Sequence, residues 1–104
     1  MSHITNEEIL HGLKTGIVRI IDASGSPYYG DGIACEIGSG GVSNWFYFAG
    51  IEGEDTTAAE YLRNVPLEDI ASEIVDALED FEVSEDQGEH DEWLFYRTVL
   101  DENK

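Results

Sequence analysis

The segment from Pro66 to Glu82 has apolar residues at intervals of three and four, and it constrains the fold more than any other part of the chain. This spacing places apolar side chains on one face of an α-helix. Proline is favoured in the first helical turn, so Pro66 suits the start of the helix. We therefore predict an amphipathic helix over residues 66–82 that must pack against a core. Its apolar face consists of Leu67, Ile70, Ala71, Ile74, Val75, Leu78 and Phe81.

The opposite side of this predicted helix carries seven carboxylates, the last of them Glu82. Residues 66–82 would span about 25 Å at ~1.5 Å per residue, which gives one carboxylate per roughly 3.6 Å. A single DNA strand carries one charge per about 3.4 Å, so this surface could imitate a phosphate strand. A solvated helix face that keeps the protein soluble is the simpler interpretation. We name six of these residues the acidic face, which is the predicted partner-binding surface: Glu68, Asp69, Glu73, Asp76, Glu79 and Asp80.

The whole chain is acidic, with a formal net charge of −18, and 18 of its 23 Asp and Glu residues lie in residues 51–104. Phosphate backbones and anionic lipids attract basic surfaces, so we expect neither direct nucleic-acid binding nor membrane binding. The partner that electrostatics favours is a protein with a basic surface, including a protein that itself binds DNA or RNA.

Length and composition predict one globular domain over residues 1–104, because a chain of 104 residues with 41% hydrophobic content can bury a core. The single cysteine, Cys35, excludes an intramolecular disulfide. No apolar run approaches the roughly 18 residues of a membrane span, and the N-terminal residues do not resemble a secretory signal. We expect a cytoplasmic protein.

Several shorter elements precede the amphipathic segment. Thr5 and Glu8 match a capping box for a helix over residues 6–14, and Gly16 suits its end. Strands are predicted at 17–21, 33–37 and 44–49, and a second short helix at 57–64. The alternation in the second strand predicts one buried face. The predicted fold class is α+β: a three-stranded antiparallel meander packed by three to four helices, with a single layer of sheet against the helices.

The C-terminal segment allows two interpretations. Residues 83–91 are polar and predict a loop. Residues 91–101 have the aromatic and β-branched composition of a strand, yet at 100° per residue Trp93 and Tyr96 fall on one side and Arg97 on the other. The periodicity favours a helix over a fourth strand.

No catalytic, cofactor or metal motif occurs in the chain, so we predict a protein that is not an enzyme and has no cofactor. His3, His11 and His90 lack the close spacing of metal-ligand pairs. Cys35 lies on the apolar side of its predicted strand with no neighbouring base, as a small buried hydrophobe would. The alternative is a small metal-dependent module that uses clustered carboxylates with His90.

Aromatic residues provide the remaining candidate contacts. Tyr28 and Tyr29 lie in a turn that contains Gly and Pro, where they could contact a partner or cover a sheet edge. Aromatic side chains from Trp45 to Phe48 fall on both faces of one strand, so both faces need cover. A homodimer through an exposed sheet face would provide it, as would a structural role inside a larger complex.

Three sequence blocks carry a resemblance to known proteins. They are Trp45-Phe46-Tyr47-Phe48, Thr57-Ala58-Ala59-Glu60-Tyr61-Leu62 and Val65-Pro66-Leu67-Glu68-Asp69-Ile70. Over residues 44–100 the chain resembles small acidic proteins of unassigned function carried by conjugative elements and phages, which implies a setting rather than an activity. Its element order and acidity are also similar to phage inhibitors of RNA-guided nucleases that mimic DNA. With the charge pattern, this predicts a non-enzymatic binding or regulatory protein, in its sharper form a nucleic-acid mimic that occupies the groove of a nuclease or repressor.

Overall fold

A three-stranded sheet and four helices make up the described part of the chain. The computed structural model describes residues 3–23, 30–39 and 44–104. The Cα radius of gyration is 12.9 Å, close to the ~13 Å of a compact domain of about 100 residues. In chain order the elements are α1 (Asn6–Thr15), β1 (Val18–Asp22), β2 (Ile33–Ile37), β3 (Trp45–Phe46), α2 (Ala58–Asn64), α3 (Leu67–Val83) and α4 (Gln87–Glu102).

The sheet has the predicted meander topology, with antiparallel order β1-β2-β3. Ile20 of β1 lies opposite Cys35 of β2, and Cys35 lies opposite Phe46 of β3. Residues directly opposite each other project to the same face of a sheet. All three pack in the hydrophobic core with residues of the helices, so the helices cover this face. The predicted α+β class is confirmed.

The expectation that β2 buries only one face is wrong, because all five of its residues are buried. β2 is the central strand, and its Glu36 projects to the face opposite Cys35. The Glu36 carboxylate pairs with Arg19 Nη2 and accepts a hydrogen bond from Trp45 Nε1 at 2.9 Å. Partners on both neighbouring strands therefore stabilise the buried Glu36 carboxylate. The alternating pattern of the sequence alone would have placed this carboxylate in solvent.

The predicted caps of α1 are confirmed. Thr5 and Glu8 form a capping box at the start of α1, and Gly16 ends that helix in the left-handed region with φ 87°. Thr57 caps α2 by accepting a hydrogen bond from the Glu60 amide at 3.1 Å. Local sequence therefore determines these helix ends, because each cap needs only residues within one turn.

The amphipathic segment forms α3, within one residue of the prediction at each end. Its Ile70, Ile74 and Leu78 side chains are fully buried, and the helix packs against both α1 and α4. No helix among the described residues combines the length and the apolar character that a membrane crossing needs.

The C-terminal segment is a helix, as its periodicity favours, but residues 83–91 do not form the predicted loop. α4 starts at Gln87, since Asp86 is the N-cap and accepts a hydrogen bond from the Glu89 amide at 3.1 Å. The residues of the first turn of α4 are polar or glycine and mostly exposed, so no apolar repeat marks this turn in the sequence. Hydrophobic periodicity cannot detect a helical turn that contributes nothing to the core.

Arg97 is buried although the helical projection places it on the polar side of α4. It is 1% exposed, and its Nη1 donates to the His3 carbonyl at 3.1 Å and to Glu8 Oε1 at 3.0 Å. Nη2 pairs with Glu8 Oε2 and with Asp101 Oδ1. Hydrogen bonds from Arg97 and Lys104 hold the pKa of the Asp101 carboxyl below its ordinary value. This buried guanidinium joins α4, α1 and the N-terminal segment.

Replacing Arg97 should destabilise the fold severely. In Arg97→Met the Glu8 carboxylate keeps its partly buried position but loses its main partner, so we expect a loss of about 3 kcal/mol in the free energy of unfolding. Urea denaturation measures this loss. Arg63→Met, which removes an exposed cation from α2, is the matched control and should change stability by less than ~0.5 kcal/mol. Equal effects of the two substitutions would contradict the role of Arg97.

Gly12 allows α1 to lie close to β1. A Cβ on this residue would come within 2.5 Å of Val18 Cγ2 and 3.2 Å of Ile17 Cγ2. We expect Gly12→Ala to destabilise the protein by about 1–3 kcal/mol through overpacking, although alanine favours a helix by ~1 kcal/mol. Thermal or urea unfolding measures the difference, with Lys14→Ala on the exposed side of α1 as the control. A stabilised Gly12→Ala variant would mean that α1 can move away from β1.

Candidate functional site

The acidic face lies on α3, opposite the side that packs in the core. All six of its residues are exposed. At 100° per residue they cover an arc of about 140°, and the rise from Glu68 to Asp80 is about 18 Å. The apolar positions of the same helix occupy the complementary arc, so burial of Ile70, Ile74 and Leu78 turns every one of these carboxylates outward.

The ion pairs within the protein do not neutralise the negative charge of the acidic face. Among the described residues, Arg97 and Lys104 pair with Glu8 and Asp101, and no ion pair includes a carboxylate of the acidic face. Arg19 pairs on the sheet, as described above. The other two Lys and Arg residues of the chain are exposed on α1 and α2 and form no ion pair with a described residue. The negative potential of α3 is therefore available to an external cation.

Glu82 is not part of this array, although the sequence places it among the seven carboxylates of the helix. It is half-buried and bonds His3 Nδ1 at 2.8 Å. This hydrogen bond, with the charges of Glu82 and Glu79, raises the pKa of His3 above its ordinary value. The partner lies 79 positions away in the sequence, so no local pattern predicts the contact.

The turn after α3 and the N-terminal part of α4 carry further acidic residues. Glu85, Asp86, Glu89 and Asp91 are exposed there, and Asp86 also caps α4. Glu92 is half-buried, and burial raises the pKa of its carboxyl above the ordinary value. The carboxylates that follow the acidic face in the sequence are therefore exposed except at Glu92.

The other candidate residues do not assemble into a site. Tyr28 and Tyr29 lie outside the described residues. His90 stacks on Trp93 with a ring-centroid distance of 6.0 Å. Cys35 is fully buried, and desolvation raises the pKa of its thiol well above the ordinary value. Across the described ranges, no three His, Cys, Asp or Glu side chains are grouped as a metal site requires.

No protein-family model, curated protein or solved structure matches this chain. The chemistry of the acidic face limits what it can bind. Ionised carboxylates only accept hydrogen bonds, and they bind guanidinium and ammonium groups most strongly. Neighbouring carboxylates on a helix cannot neutralise one another, so a row of them favours a partner with several cations.

The His3 contact predicts a pH-dependent effect of Glu82→Gln. The pKa of His3 is raised in the folded state, so the contact stabilises the fold below the ordinary histidine value of 6.5 and loses this effect as the pH rises through the raised pKa. We expect Glu82→Gln to lower the His3 titration midpoint in NMR spectra. We also expect it to destabilise the fold more near pH 5 than near pH ~8.5.

Glu60→Gln removes the same charge from an exposed position on α2 and is the control for the His3 titration. It should move the midpoint much less than Glu82→Gln does. Equal shifts in the two variants would mean that His3 responds to the total charge of the protein and not to its hydrogen bond with Glu82.

Proposed function

We propose that this protein is a non-enzymatic binding protein whose acidic face occupies a basic groove on a partner protein, in the manner of a nucleic-acid mimic. The partner is a protein that binds DNA or RNA, such as a nuclease or a repressor, and the protein acts in the cytoplasm. The observation that carries the proposal is the exposed, unpaired array of six carboxylates on α3.

The spacing of the array suits a groove that binds a phosphate backbone. Asp69, Glu73, Asp76 and Asp80 lie in one row, with successive rises of about 6, 4.5 and 6 Å along the helix. The six carboxylates together give one charge per ~3.6 Å of axis, against about 3.4 Å for one DNA strand. A groove whose Lys and Arg side chains are spaced to bind successive phosphates would therefore place a cation near each carboxylate of the acidic face.

A rigid helix makes such an array effective. α3 has its apolar side anchored in the core, so its carboxylates enter a complex with their backbone already ordered. Preorganisation of this kind reduces the entropy that binding must overcome. The formal charge of −18 also increases the rate of encounter with a basic partner, an effect that falls as ionic strength rises.

The test removes charge from the acidic face and compares this variant with a control that loses the same total charge elsewhere. Glu73→Gln, Asp76→Asn and Asp80→Asn together remove three charges from the row. The control set, Glu7→Gln, Glu54→Gln and Glu102→Gln, removes three charges from exposed positions elsewhere. A partner captured from a nuclease-treated lysate by the wild-type protein, once purified, should bind the first variant at least about tenfold more weakly, a change of ~1.4 kcal/mol.

The same partner should bind the control set with nearly wild-type affinity, and duplex DNA or RNA should compete with the wild-type protein for it. The slope of affinity against salt concentration should also decrease for the first variant alone. Equal weakening by both sets would mean that the partner responds only to total charge. Unchanged binding by the first set would exclude the acidic face as the contact surface.

A further inference from the structure

A pocket of about 380 Å³ lies at the N-terminal half of the acidic face. Asp69 and Glu73 form part of its wall, and Tyr61 of α2 contributes an aromatic side chain. The turn after β3 lines another side of this open pocket, and Ala49 in that turn adopts a left-handed conformation with φ 59°. The complete lining is Ala49, Ile51, Tyr61, Val65, Asp69, Ser72 and Glu73. The pocket therefore combines two carboxylates, a phenol and a hydroxyl with apolar walls.

Tyr61 is the unusual member of this lining. The residue is only 9% exposed, and its ring packs edge-on against Phe48 with a centroid distance of 5.7 Å. Its hydroxyl forms no hydrogen bond with any residue in the described ranges. Most of the side chain is buried, but the hydroxyl oxygen itself is not enclosed, so it is open to a hydrogen-bond partner from outside the protein. A ligand that enters the pocket can supply this partner.

The electrostatics of Tyr61 indicate what charge such a ligand should have. Burial, followed by the charges of Glu73 and then Asp69, raises the pKa of the Tyr61 hydroxyl above its ordinary value. Both carboxylates therefore act on the phenol, although they lie on a different helix. Asp69 and Glu73 are exposed and form no ion pair with a described residue. Anions would be repelled from the pocket, whereas a cation would be attracted by both carboxylates.

We propose that this pocket binds one arginine side chain of the basic partner and anchors it to the acidic face. The inference rests on the proposed function and adds the position and the chemistry of its central contact. A guanidinium has five N–H donors, and it can bond two carboxylates while a further N–H meets the Tyr61 oxygen. Ile51 and Val65 give the aliphatic part of the arginine an apolar surface.

Arginine suits the pocket better than lysine for a geometric reason. The acceptors of Asp69, Glu73 and Tyr61 come from two helices, so a bound cation would meet acceptors from more than one element. A planar guanidinium presents donors in several directions of one plane, and it also packs against aromatic rings. Interface residues that contribute most to affinity are enriched in arginine and tyrosine and lie in well-packed pockets.

The test uses blocked arginine, N-acetyl-arginine amide, as the probe and follows its titration by NMR. We expect the Tyr61 ring signals and the Asp69 and Glu73 amides to shift more than the amides of Asp76, Glu79 and Asp80. Blocked citrulline, a neutral analogue of nearly the same shape, should produce no saturable shift. Blocked lysine should bind more weakly than blocked arginine.

Two variants separate the pocket from the rest of the acidic face. Asp69→Asn with Glu73→Gln should weaken the binding of blocked arginine at least about tenfold, because it removes two charge-assisted contacts. Asp76→Asn with Glu79→Gln removes the same charge outside the pocket and should weaken binding less than about threefold. Tyr61→Phe keeps the ring against Phe48 and should weaken binding about fivefold through loss of one hydrogen bond.

Equal weakening by the two double variants, or no effect of Tyr61→Phe, would overturn the pocket as an arginine site. This result is distinct from failure of the proposed function. A partner that depends on the acidic face but binds Tyr61→Phe with wild-type affinity would leave the proposed function standing and reject the anchor. Arginine binding in the pocket without any partner that depends on the acidic face would do the reverse.

Discussion

Arg97 lies where α1, α4 and the N-terminal segment meet, and its guanidinium binds Glu8 and Asp101 there. A buried cation is tolerated only when its charge is paired and its donors are mostly satisfied. The helices on this side must therefore keep positions that bring both carboxylates to Arg97. α3 packs against α1 and α4, so the placement of the helix that carries the acidic face depends on this contact.

The scarcity and the placement of cations explain why α3 presents unpaired negative charge. The chain has five Lys and Arg residues for 23 Asp and Glu residues. Arg97, Lys104 and Arg19 are occupied by carboxylates of α1, α4 and β2, where they join elements of the framework. Cations used in this way cannot also neutralise the outer side of α3. The other two cations, Lys14 and Arg63, are exposed on α1 and α2 and form no ion pair with a described residue.

The elements that could be predicted are those whose determinants are local. Thr5 and Gly16 mark the ends of α1, and the three- and four-residue repeat from Leu67 to Phe81 marks α3. One error occurs where the determinant lies elsewhere in the chain, and the other where a local cap acts without apolar residues. Glu36 is buried because neighbouring strands supply partners, and the first turn of α4 forms through the Asp86 cap without apolar residues. Hydrophobic periodicity reports only where apolar side chains are buried, so it detects neither a buried carboxylate nor an exposed helical turn.

The sequence by itself determined the helix that bears the acidic face, because amphipathic spacing and net charge are properties of consecutive residues. From the same charge it predicted a basic partner. Only the tertiary structure decided which carboxylates remain free, since His3 takes Glu82 from the array and Arg97 takes Glu8. The tertiary structure likewise placed Tyr61 beside Asp69, across the end of one helix and the start of another. Such pairings depend on how the elements pack, and packing is set by the whole core rather than by any one segment.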